Sequence, residues 1–113
     1  MGTYQVAHDQ WSDFLKTFST ENQARNIALD IESNELGPQR VIHSKPLIGL
    51  EPEIRNDDTI ITVIAGDPEG GQPTSLVHEI AGVRAIWVKE DEEGRAQALD
   101  IESDDVKTII QFV

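Results

Sequence analysis

Trp11, Phe14, Leu15 and Phe18 stand at i, i+3, i+4 and i+7, the spacing that gathers side chains on one helical face. Asp9 is placed to act as N-cap, and Asp13 suits the positive end of the helix. The pattern predicts one amphipathic helix over about residues 9–23, its aromatic stripe packed on a core. After it the period changes to two. "RNIALDIES" alternates Ile27, Leu29 and Ile31 inward with Ala28, Asp30 and Glu32 outward, as a half-buried strand does.

Further strands are expected in "QRVIHS", "TIITVIAG", "SLVHEI", "VRAIWVKE", "ALDIES" and "VKTIIQFV". "PLIGLEPEI", broken by proline and glycine, reads as an irregular crossing, and "DPEGGQPT" as a loop. "TIITVIAG" is rich in β-branched residues and is expected to be buried on both faces. The final two segments form the clearest hairpin. A two-residue turn at Asp104-Asp105 sets Glu102 opposite Lys107, Ile101 opposite Thr108 and Leu99 opposite Ile110, which satisfies both faces at once.

"ALDIES" occurs twice, at residues 28–33 and 98–103, each copy with an arginine three residues upstream, Arg25 and Arg95. The likeness ends at six residues, so it marks two strands in similar environments rather than a duplicated domain. A metal site built from Asp30, Glu32, Asp100 and Glu102 is not expected, because like charges on facing strands repel and no calcium-loop motif is present.

One domain spanning residues 1–113 is the reading that this length supports. Cysteine is absent, so disulfides and thiolate chemistry are excluded. Acidic residues number 21 against 9 basic, a net charge of −12 spread along the chain. Such a field repels phosphate backbones and anionic lipid, so neither direct nucleic-acid binding nor membrane association is expected. The start of the chain lacks a secretory pattern, and no apolar run approaches the roughly 20 residues needed to span a bilayer. A cytoplasmic protein is expected.

Catalytic motifs are missing. His8, His43 and His78 show no paired-ligand spacing, and there is no nucleophile elbow, P-loop or dinucleotide fingerprint. No catalytic residue, metal or cofactor is therefore assigned. The parity of His78 with Leu76 and Ile80 predicts a partly buried histidine.

The order "DQWSDFLKTFS", "LGPQ", "PLIGLE", "IITVIAG", "LVHEI", "ALDIES" and "TIIQF" resembles a family of small acidic bacterial proteins known only as a domain of unknown function. The resemblance covers about residues 8–112 and implies bacterial origin, with no activity to carry over. The family pattern favours proline near the helix start and Asp-Gly at the last hairpin, where this chain has Ala7 and Asp104-Asp105.

The expected fold is α+β: one N-terminal helix packed on an antiparallel, bent sheet or partial barrel of five to seven strands. The expected role is a non-catalytic interaction module with a protein partner, a basic one if charge decides. The alternative is a small enzyme or ligand-binding protein with a pocket between helix and sheet, for which Tyr4, His43, His78, Arg84 and Trp87 are the candidate residues. A third reading is an acidic mimic of nucleic acid.

Overall fold

The computed structural model describes residues 2–66 and 76–113, which leaves the "DPEGGQPT" loop outside the described residues. Within them one helix packs on an antiparallel sheet of eight strands: β1 (Gly2–Gln5), α1 (Trp11–Glu21), β2 (Asn26–Ser33), β3 (Gly37–Arg55), β4 (Asp58–Ala65), β5 (Leu76–Ile80), β6 (Val83–Glu90), β7 (Ala96–Ser103) and β8 (Val106–Phe112). The order across the sheet is β1-β6-β7-β8-β2-β3-β4-β5. The sheet does not close: β5 and β6 are joined through Ala81-Gly82 yet share no ladder. The α+β architecture is as expected. The strand count is not five to seven, and no partial closure through β5 and β6 occurs.

The extra strand is β1. Its four residues are all exposed, so no burial alternation marked it, and its place comes from pairing Tyr4 with Val88 along β6. The helix is shorter than the spacing predicts at both ends. Asp9 lies inside a 3-10 turn, His8–Gln10, and gives no side-chain cap; Gln10 takes the N-cap position. At the other end the Asn22 amide side chain donates to the Phe18 carbonyl at 2.9 Å, and Ala24 turns left-handed at φ 73°. Trp11, Leu15 and Phe18 are buried as the pattern requires.

"QRVIHS" and "PLIGLEPEI" are one strand, not a strand and an irregular crossing. The first half of β3 pairs with β2 and the second with β4, with register shifts opposite β2 and again between Leu47 and Gly49. Each half is paired on one side only, so Pro38, Pro46 and Pro52 can sit in it without breaking a two-sided ladder. The helix covers part of the free side. The Ser19 hydroxyl accepts from the Leu50 N–H at 2.8 Å and donates to its carbonyl at 3.2 Å.

β4 is buried on one face only: Thr59, Ile61, Val63 and Ala65 are covered, while Ile60, Thr62 and Ile64 are half-buried. Ala28, expected outward, is buried; it pairs with Gln111 of β8 and sits at the irregularity between Ile27 and Leu29, where β2 shifts register against β3 and the simple alternation fails. The last hairpin has the expected register, including all three predicted pairs. Its turn is made possible by Asp105, which accepts φ 59°. No helix among the described residues is long and apolar enough to cross a membrane.

Candidate ligand-binding site

The two copies of "ALDIES" flank β8 and pair with the same residues in the same register. Leu29 and Leu99 both face Ile110, Asp30 and Asp100 face Ile109, and Glu32 and Glu102 face Lys107. The strands run in one direction, so equal upstream offsets deliver Arg25 and Arg95 to the same end of the sheet. There they line a cleft of about 410 Å³ between α1 and strands β1, β6 and β7.

Arg25 is fixed in place. Its Nη1 donates to Asn22 Oδ1 at 2.8 Å and to the Ala96 carbonyl at 3.0 Å, and its guanidinium lies 3.9 Å from the Phe112 ring centre. Burial lowers its pKa, and the nearby Arg95 lowers it further, while Asp91 acts the other way. Arg95 is exposed on the turn before β7. Asp91 does not pair with it but spends one carboxylate oxygen on the backbone amides of Glu93 and Arg95, both at 2.9 Å.

Tyr4, Glu90 and Glu21 line the same cleft, and Phe14, Phe18 and Val88 give it apolar surface. Tyr4 remains 43 % exposed, but the partial desolvation of its phenol in the cleft raises its pKa above the ordinary value, and the Glu90 and Glu21 carboxylates push it the same way. Tyr4 is therefore a hydrogen-bond donor at neutral pH rather than a base.

Of the five candidates named from sequence, only Tyr4 lines this cleft. Trp87 sits opposite Asp100 on the outer face, in a hollow shared with Lys89, Glu102 and Ile109. His78, half-buried with its pKa lowered by burial, lines another hollow with Asp104. Arg84 stands at a register shift in β6 and pairs with that same Asp104. His43 is exposed on β3, near enough to Asp30 to favour its ionised form. The five do not converge. Arg25 and Arg95 were missed as site residues although the sequence held the signal, one arginine at a fixed offset from each repeat.

The outer face carries the repeat's carboxylates. Lys107 lies 3.7 Å from Asp100 and 3.8 Å from Glu102, and Asp100 Oδ1 is buried with no hydrogen-bond partner. Among the described residues no group of three or more potential ligands is placed to hold a metal ion.

Neither curated proteins nor solved structures yield a match to this chain. A family model does, over residues 2–113, so the chain belongs to the family of unknown function DUF5335.

Proposed function

We propose that this is a non-catalytic binding protein whose ligand presents an acidic group to the cleft beneath α1. One observation carries the reading. Arg40, Arg55 and Arg84 each pair with a carboxylate, whereas Arg25 and Arg95, the two arginines of the cleft, make no ion pair among the described residues. In a chain with 21 acidic residues, two cations left unpaired side by side favour an external anion. No histidine lines the cleft, and its tyrosine holds its proton, which favours binding over acid–base chemistry.

Titration of isotope-labelled protein with a panel of small carboxylic and phosphoric acids tests this by amide shifts. The expected result is saturable movement at Asn22, Gly94 and Arg95, weakened by Arg95→Gln. Movement confined to other regions would sink the cleft as the site, and turnover of a bound compound would overturn the non-catalytic reading.

A second reading, contact with a basic protein partner, is favoured by the outer face, where Glu32, Asp100 and Glu102 gather around one cation, Lys107. It predicts a crosslinked partner that disappears on Glu32→Lys with Glu102→Lys. The same partner retained by that double variant would refute it. A phosphate-like row, as a nucleic-acid mimic needs, is less well supported, because Lys107 interrupts the carboxylates.

A further inference from the structure

We propose that the ligand of the cleft is a zwitterion of the α-amino acid class with an apolar side chain, a proposal that rests on the cleft reading above. The two hydrogens of Arg25 Nη1 are committed to Asn22 and Ala96. Its Nε and Nη2 make no hydrogen bond among the described residues. That free edge is the fork that matches the two oxygens of a carboxylate. Asn22, Ala96 and the Phe112 ring hold the guanidinium plane, so little side-chain freedom remains to be lost on binding.

The charges of the cleft are sorted by strand. Tyr4 and Glu90 belong to β1 and β6, with Glu21 above them on α1; Arg95 and Arg25 precede β7 and β2. Neither glutamate comes within ion-pair distance of either arginine. Opposite charges that line one cavity without meeting leave both signs to be answered by the ligand.

Although β2 is not adjacent to β6, Arg25 Nη1 reaches the Ala96 carbonyl, and Ala96 pairs with Glu90 across the β6–β7 ladder. Strands of a ladder lie about 4.8 Å apart, so one small molecule can reach both signs. A purely anionic ligand meets Glu21 and Glu90, and a purely cationic one meets the two arginines. A zwitterion avoids both penalties. Phe14, Phe18 and Val88 offer an apolar surface for its side chain, and about 410 Å³ suits a molecule of this size.

The experiment titrates the labelled full chain with L-phenylalanine, N-acetyl-L-phenylalanine, L-phenylalaninamide and L-leucine, reading the Asn22, Gly94 and Arg95 amides. L-Phenylalanine and L-leucine are expected to bind there, with both single-charge analogues weaker by about tenfold or more. Arg25→Lys, which keeps the charge and loses the fork, should weaken L-phenylalanine and spare the amide. Arg95→Gln, at an exposed position, provides the same comparison if Arg25→Lys unfolds the chain. Glu90→Gln should narrow the gap between L-phenylalanine and its acetylated form. Equal binding of the acetylated acid, still lost with Arg95→Gln, would overturn the zwitterion and leave the acid-binding cleft standing. Silence from all four compounds while other acids move these amides would do the same, and silence from every acid would remove both readings.

Discussion

Asp30 and Asp100 occupy the same position of the repeated hexapeptide and face the same residue of β8, Ile109, yet their carboxyls shift in opposite directions. Arg40 grips Asp30 with two hydrogen bonds, at 2.8 and 3.1 Å, and lowers its pKa. Burial raises that of Asp100; Lys107 opposes this, while Glu102 and Glu32 add to it.

The two shifts have opposite consequences for stability. Asp30 contributes stability above its unfolded pKa that is lost as pH falls through the lower folded value. Asp100 contributes stability below its unfolded pKa that is lost as pH rises through the higher folded value. Asp30→Asn should therefore lower the melting temperature at neutral pH. Asp100→Asn should raise it by roughly 2 °C, the effect being small because the side chain as a whole stays 27 % exposed although its Oδ1 is covered. Both differences should shrink on acidification through the carboxylate range. Melting curves of the two variants at neutral and acid pH check this, and shifts of the same sign at neutral pH would contradict it.

The Ser19–Leu50 clamp joins the helix to the unpaired side of β3. Ser19→Ala leaves the N–H and carbonyl of Leu50, a residue only 3 % exposed, without the hydroxyl that serves both. An unsatisfied buried backbone group costs about 1–3 kcal/mol. The variant should lose about that much stability in urea denaturation. A loss below about 0.5 kcal/mol would mean that water replaces the hydroxyl at no cost.

Ala24 carries a methyl in the left-handed region, at φ 73°, where its N–H must reach the Leu47 carbonyl. Glycine adopts this conformation without the Cβ clash, although it loses more freedom on folding. Ala24→Gly should raise stability by up to about 1 kcal/mol, seen as a higher urea midpoint at unchanged slope. A lower midpoint would show that chain entropy outweighs the strain.

Residues with alternating burial or closely spaced apolar neighbours were legible from sequence: the stripe Trp11, Leu15, Phe18, the strand around Leu29, and the hairpin through Leu99 and Ile110. Features decided by edges were not. Nothing in Gly2–Gln5 alternates in burial, so β1 had no pattern to show. The prolines of β3 read as breaks because a sequence does not reveal which side of a strand lacks a partner. The Asn56-Asp57 turn, with both residues at positive φ, joined β3 to β4 and went unread. The arginine pair was written at a fixed offset from each repeat, but its meeting depends on the shared register with β8, a relation between three strands.

Charge gives the last prediction. Glu32 and Glu102 flank Lys107 from β2 and β7, two strand spacings apart, about 10 Å by sheet geometry. That is close to the Debye length at about 0.1 M salt, so repulsion over this distance fades at moderate ionic strength. Salt also weakens the three exposed pairs, Arg40–Asp30, Arg55–Glu53 and Arg84–Asp104, but such pairs contribute only about 0–1 kcal/mol each. Repulsion among 21 acidic residues, answered by 9 basic ones, is the larger effect. The melting temperature should therefore climb by a few degrees between about 20 mM and about 500 mM sodium chloride. Sodium sulfate at equal ionic strength separates screening from the general salting-out of apolar surface, because sulfate stabilises most proteins whatever their charge. A rise in chloride that saturates by a few tenths molar is the signature of screening. A melting temperature that falls with sodium chloride would mean that the ion pairs, not the excess of carboxylates, dominate the electrostatics of this fold.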